Sequence, residues 1–275
     1  MPLEIAALFP GQGSHADGME EPWIDAPRLR RGLDLLDYDP FSRLDEGTRY
    51  QQPAIFLCSI AAWDARLDDV DALPVAGGAG HSLGEYAALV AAEALSFEDG
   101  LRLVDVRAAA MDRANEIVPG GMVALLGGDI DAARALARRT GLHVANDNAP
   151  GQVVLSGREE GIRQALELGR EFEVRTRRLP VSAAFHTPLM AAAADELATA
   201  LHDVAVADPA FTVISNGTAQ PFGDIRTELV ANLLAPVRFR ETLLALADEG
   251  IDQFEEVGPG RVLSGLVRRT VTVAA

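Results

Sequence analysis

The chain has no lysine: all 24 of its basic side chains are arginine. That excludes Schiff-base chemistry and a phosphate-loop lysine, although a GC-rich coding sequence would leave the same bias. Cysteine is almost absent as well. The single Cys58 lies in the apolar run "AIFLCSIAAW", which excludes a disulfide framework and a cysteine metal site and is expected to bury a structural thiol. Positive charge is scarce, 24 Arg against 41 Asp and Glu for a formal net charge of −17. A field of that sign opposes polyanions, so neither nucleic acid nor an anionic membrane is an expected partner. Long apolar runs are missing too: charge interrupts each one before the roughly 18 residues that a membrane span requires. The start "MPLEIAALFPG" lacks a basic segment followed by a cleavable apolar one, and a cytoplasmic protein is expected.

What is present suits a globular chain, with 275 residues that are 48% hydrophobic and no composition bias toward disorder or fibre. "LEIAALF" reads as a buried strand ending in the turn "PGQG", and "QQPAIFLCSIAAWDARL" (51 to 67) as a helix. "LPVAGGAG" followed by "LGEYAALVAAEAL" is a strand feeding a buried helix, and Ser96 with Asp99 starts another helix that runs to about Asn115 and carries Arg107. From 121 to 179 the pattern becomes strand, helix, strand, strand, helix, strand, the β-α-β-β-α-β order of a ferredoxin-like unit. Strands and helices then alternate to the final helix "PGRVLSGLVRR". The expected fold is therefore α/β: a parallel sheet covered on both faces, built from 1–120 and 180–275, with an inserted small subdomain at 121–179.

Gly80-His81-Ser82-Leu83-Gly84 fits the G-x-S-x-G elbow, in which glycines let strand and helix approach closely and lift the serine hydroxyl into the open. The following helix would direct free N–H groups, most directly that of Leu83, toward an oxyanion formed at Ser82. A serine nucleophile needs a base, and the histidines are His15, His81, His143, His186 and His202. His81 is next to Ser82 and should point away from it, while His143 and His202 fall where a structural or solvated role is expected. His15 follows the "PGQGS" turn and stays open on pattern alone. His186, in "VSAAFHTPLM", ends an apolar strand-like segment just before a helix, where open α/β sheets place functional groups.

The stretches "FPGQGS", "GHSLGEYAAL", "VDVRAAAM", "ANDNAPGQVVLSG", "VSAAFHTPLM", "VISNGTAQP", "NLLAPVRF" and "EEVGPGRVLSGL" occur in this order. Together they resemble the malonyl-CoA:acyl-carrier-protein transacylases and the acyltransferase domains of polyketide synthases, from Leu3 to about Arg269. The resemblance implies an α/β-hydrolase-like large subdomain with a ferredoxin-like insertion and an active site in the cleft between them. It implies that Ser82 is acylated by malonyl-CoA with His186 as general base, and that the phosphopantetheine thiol of an acyl carrier protein then attacks the ester, a ping-pong sequence. It also implies that a backbone carbonyl at Asn232 orients His186, that the N–H groups of Leu83 and Gln12 hold the oxyanion, and that Arg107 pairs with the malonyl carboxylate. A planar guanidinium suits that task. Phe185, beside His186, fills the space an α-methyl would need, worth about 1 to 3 kcal/mol of discrimination.

In this reading malonyl-CoA is a substrate, no cofactor is permanently bound, and the free-standing chain is expected to be a monomer serving fatty-acid or polyketide synthesis, in the latter case acting in trans. His15 stands where the family commonly has glutamine, Ala183 where malonyl-selective domains often have histidine, and the segment after Met19 is shorter than usual. Carrier proteins are usually acidic, so docking must use a local basic patch, for which Arg175, Arg177 and Arg178 are the densest candidates. The same elbow would serve water as well as a thiol, which makes a proofreading acyl-thioesterase the alternative enzyme. A non-catalytic module binding CoA or a carrier protein is the alternative outside enzymes.

Overall fold

The computed structural model describes residues 3–181 and 183–271. The run "IAALF" forms β1 (Ile5–Phe9), buried along its whole length. It pairs in parallel with β2 (Val75–Gly80) on one side and β8 (Gln253–Glu256) on the other, and β7 (Thr212–Ile214) adds outside β2, giving the order β7-β2-β1-β8. Side chains alternate across such a strand. Ala7 and Phe9 face a core shared with α2 (Thr48–Leu67), α3 (Gly84–Ala91) and α4 (Phe97–Ile117), while Ala6 and Leu8 face α9 (Phe239–Asp248) and α10 (Val262–Thr270). A sheet covered on both faces needs apolar residues at every position, which is why β1 shows no polar alternation. Each large apolar side chain buried in this way contributes about 1.5–3 kcal/mol.

Between Gly120 and Arg178 the chain builds a second sheet from β3 (Gly120–Leu126), β4 (His143–Ala149), β5 (Gln152–Arg158) and β6 (Arg175–Arg178). With α5 (Ile130–Thr140) and α6 (Glu159–Leu168) it has its own core around Val123, Leu125, Leu136, Leu155 and Ile162. All neighbours are antiparallel in the order β4-β5-β3-β6, the ferredoxin-like arrangement. The large part grips this sheet through β4: Asp147 N–H donates to Val237 O at 2.9 Å, Val237 N–H donates to Ala145 O at 2.8 Å, and Arg240 donates to the buried Asp147 carboxylate at 2.7 Å.

Several boundaries differ from expectation for local reasons. The helix after the elbow stops at Ala91 because Glu93 adopts a left-handed backbone (φ 60) and the N–H groups of Ala94 and Leu95 turn back to Leu89 O. The helix carrying Arg107 starts as expected, with the Ser96 hydroxyl accepting from Asp99 N–H at 3.0 Å, and runs on to Ile117. An unanticipated helix, α1 (Pro27–Leu36), buries Leu29 among charged neighbours that mask its spacing in the sequence. The strand-like reading of "VSAAFH" is corrected. β6 ends at Arg178, and the described residues between it and His186 form an irregular return toward the parallel sheet. His186 has φ 57, which no strand residue adopts. α7 (Ala191–Leu201) and α8 (Ile225–Leu234) follow.

Candidate active site

Ser82 lies on the turn between β2 and α3 with a left-handed backbone, φ 52. The glycines around it leave the turn no other course. A Cβ on Gly80 would sit 1.8 Å from the carbonyl carbon of Gly84, and one on Gly84 would sit 2.1 Å from Phe9 O. A non-glycine residue in this region carries a cost of about 1–3 kcal/mol and persists only where its surroundings hold it. Here the Ser82 N–H donates to Asn216 Oδ1 at 2.6 Å, and Asn216 Nδ2 donates to Gly80 O at 2.7 Å. One amide side chain thus clamps both ends of the elbow.

The return from the antiparallel sheet brings the His186 imidazole to Ser82, Nε2 to Oγ 2.8 Å. On the other edge of the ring, Nδ1 lies 3.0 Å from Asn232 O and 3.1 Å from Ala235 O. Carbonyl oxygens only accept, so Nδ1 carries the proton and Nε2 is left as an acceptor for the serine hydroxyl. Burial, with the nearby Arg107 cation, pushes the His186 pKa down to about 3, so the resting ring is neutral. Both carbonyls belong to the C-terminal end of α8, whose dipole favours the imidazolium that forms when Nε2 takes a proton. Asn232 was anticipated as the source of an accepting carbonyl of this kind; Ala235 was not, because a main-chain oxygen leaves no mark in residue type.

Arg107, 3% exposed, projects from α4 and donates from Nη2 to Ser82 Oγ at 2.8 Å and from Nη1 to Gln52 Oε1 at 2.5 Å. The hydroxyl therefore accepts from the guanidinium while donating to the imidazole, which uses its capacity in both directions. Gln52 fixes the fork and was not foreseen; it sits in the apolar face of α2, where a buried amide was its only signal. Burial pulls the Arg107 pKa below its ordinary value.

These groups line a cavity of about 500 Å³ together with Gln12, Leu83, Phe185, Met111, Met122 and Asn146. The Gln12 side chain donates to Thr48 Oγ1 (3.0 Å) and Gln51 Oε1 (2.9 Å), fixing the "PGQG" turn against α2. Among the described residues neither the backbone N–H of Gln12 nor that of Leu83 donates to a main-chain carbonyl in the turns and loops. None of the other histidines hydrogen-bonds Ser82 among the described residues. His81 turns to Asn148 Oδ1 at 2.8 Å and lies tilted against the Phe239 ring, His143 is exposed on β4, and His202 pairs with Asp203. His15 reaches the rim of the cavity, with Nδ1 buried and unpaired. Cys58 is buried in the main core and does not line the cavity, and its thiol pKa is raised by burial. Among the described residues no group of three or more His, Cys, Asp or Glu side chains converges as a metal site requires, and no helix is long and apolar enough to cross a membrane.

A hydroxyl on a glycine-enforced elbow, a neutral imidazole and a buried guanidinium in one cleft of an α/β fold are the groups that acyl transfer through a serine would need. Residues 32–275 match the acyl transferase domain family, and the chain belongs to it. It is 38% identical over 287 residues to the malonyl CoA-acyl carrier protein transacylase of Bacillus subtilis, covering 97% of this chain and 90% of that protein. It is 40% identical over 284 residues to the polyketide biosynthesis protein ThaF of Burkholderia thailandensis, covering 96% of this chain but only 24% of that larger protein. Among solved structures it is similar to an acyl-carrier-protein S-malonyltransferase of Burkholderia pseudomallei, with a TM-score of 0.90, 37% identity, and 98% and 93% of the two chains covered. A malonyl-transacylase solved in complex with a type II polyketide synthase acyl-carrier protein matches with a TM-score of 0.89, 34% identity, and 98% and 93% coverage.

Proposed function

We propose that the chain moves a malonyl group from malonyl-CoA to the phosphopantetheine thiol of an acyl carrier protein through an ester on Ser82. The observation that carries this reading is a single oxygen, Ser82 Oγ, within 2.8 Å of both His186 Nε2 and Arg107 Nη2. One neighbour can take its proton and the other can hold an anion, which matches a substrate with a thioester at one end and a carboxylate at the other.

In the first half-reaction Oγ attacks the thioester carbonyl carbon as its proton passes to His186 Nε2. The oxyanion is held by the N–H groups of Leu83 and Gln12, preorganised donors of a kind whose individual loss costs about 10²–10³-fold in rate. As the C–S bond breaks, the CoA sulfur leaves with the proton from Nε2. In the second, the carrier thiol gives its proton to Nε2 and attacks the ester, and Oγ recovers that proton as the C–O bond breaks. Asn232 O and Ala235 O keep the ring in the tautomer that both halves need. Arg107, already fixed by Gln52, exchanges its contact with Ser82 for the malonyl carboxylate. Phe185, buried in the cavity wall, narrows the space beside the α-carbon.

The proposal divides the chain into a catalytic subdomain, 1–120 with 180–275, and a ferredoxin-like subdomain at 121–179. Carrier docking is assigned to Arg175 and Arg177, which are exposed on β6 and share the sheet face of Ala124 and Met122, next to the cavity wall at Leu179. Arg178 is released from that role, since it points the other way and donates to Glu159. A monomer acting in the cytoplasm, with no permanently bound cofactor, completes the reading; light scattering on the purified protein checks the first of these.

The thioesterase alternative is not favoured, since the relatives named above for this activity are transacylases. Partition separates the two. With malonyl-CoA and a phosphopantetheinylated carrier protein, malonyl-carrier should form in large excess over free malonate, and Ser82→Ala should abolish it. Malonate as the main product would overturn the transferase reading.

A further inference from the structure

Glu85 is among the most deeply buried carboxyl groups in the protein, 2% exposed on the first turn of α3, and it does not line the cavity. Its Oε1 accepts two hydrogen bonds, from the backbone N–H of Asn216 at 2.7 Å and from Asn232 Nδ2 at 2.9 Å. The two donors lead to opposite halves of the reaction centre. Asn216 is the residue whose side chain clamps the Ser82 N–H and Gly80 O. Asn232 is the residue whose carbonyl receives the His186 Nδ1 proton.

We infer that Glu85 is the positioning residue that couples nucleophile to base: one carboxyl oxygen fixes the elbow clamp and the imidazole support relative to each other. This inference rests on the Ser82–His186 reading and extends it. A left-handed serine and a left-handed histidine, φ 52 and φ 57, have to be held at a 2.8 Å separation although they are 104 residues apart in sequence. No direct backbone pairing joins their segments among the described residues. The path through Asn216, Glu85 Oε1 and Asn232 is a short side-chain route that does. A neutral carboxyl serves it with its carbonyl oxygen, and burial pushes the Glu85 pKa up to about 8, which keeps the group neutral near pH 7. The neighbouring charges are Arg107, which favours the carboxylate, and Glu228, which opposes it.

The test uses variants that separate packing from hydrogen bonding. Glu85→Met fills the same volume without an acceptor. Its kcat for malonyl transfer is expected to fall roughly 100-fold, the scale of a misplaced catalytic pair, with KM for malonyl-CoA within about threefold because Glu85 touches no substrate. Glu85→Gln, which keeps a carbonyl oxygen in the same place, should restore kcat to within about fivefold of the parent enzyme. A kcat preserved in Glu85→Met, a loss expressed in KM, or a Glu85→Gln enzyme as slow as Glu85→Met would each overturn the inference. If Glu85→Met does not fold, Asn232→Ala removes the tether but leaves the backbone carbonyl, and an unchanged kcat there is equally fatal. The acylated peptide is mapped in the parent enzyme first. Absence of an ester on Ser82 there would end the site reading itself, whereas normal Ser82 acylation in Glu85→Met would end only the positioning role.

Discussion

The proposed nucleophile, Ser82, and its proposed base, His186, carry the same backbone strain but are held by different means. At Ser82 the primary constraint is steric, with the Asn216 clamp added to it: β1, β2 and α3 converge so closely that Gly80 and Gly84 have no room for a side chain. At His186 the constraint is chemical: an irregular loop is positioned by carbonyl oxygens at the end of α8, at 3.0 and 3.1 Å. A steric support is all-or-none, because packed backbone cannot yield by a fraction of an ångström without moving whole elements. A hydrogen-bonded support is graded and can be retuned one bond at a time.

The sharpest way to break that contrast is Gly84→Ala. The added methyl would meet Phe9 O at 2.1 Å, so β1 and α3 must separate. A loss of at least about 3 kcal/mol in denaturant unfolding is expected, together with loss of transfer activity. A parent-like unfolding midpoint would show that the elbow is not sterically enforced.

A smaller effect sharpens the other side. Glu85 has its folded pKa raised from 4.5 to about 8 by burial. Below pH 4.5 the group is neutral in both folded and unfolded chains, and no stability is lost. Between 4.5 and 8 the unfolded chain releases the proton while the folded one keeps it, so stability falls as pH rises, and above 8 the deficit is constant. Glu85→Gln removes this dependence. Its stability relative to the parent should therefore grow from pH 4.5 to pH 8, reaching on the order of a few kcal/mol at about 1.4 kcal/mol per pKa unit. A difference that stays flat across the window would mean that the carboxyl is ionised in the folded protein.

The two supports also differ in how far they can be read from sequence. Gly80-x-Ser82-x-Gly84 announces itself because only glycine satisfies a close approach, and the flanking strand and helix follow from apolar runs. His186 came forward through its place at the end of an apolar segment and took its role from resemblance, and the strand reading offered for its segment was wrong because an apolar stretch does not reveal a positive φ. Asn232 O was reached by the same resemblance, whereas Ala235 O had no side-chain signature at all. Gln52, Glu85 and Asn216 stood in view as polar residues inside or beside apolar stretches, yet their partners lie up to 147 residues away, and only folding brings them together. The β-α-β-β-α-β succession was legible because each element carries its own period, with Asp129 capping α5; α1 was not, because charge surrounds its apolar stripe.

The account turns on a serine that opens the thioester while an arginine holds the far carboxylate. Its most direct test is a mass spectrum of the Ser82 peptide after exposure to an equimolar mixture of malonyl-CoA and acetyl-CoA, in the parent enzyme and in Arg107→Ala. The parent should carry malonyl almost alone, and Arg107→Ala should lose malonyl by roughly 100-fold more than acetyl, the scale of one charge-assisted carboxylate contact. The same malonyl-to-acetyl ratio in both proteins, or an acyl group on any residue other than Ser82, would contradict it.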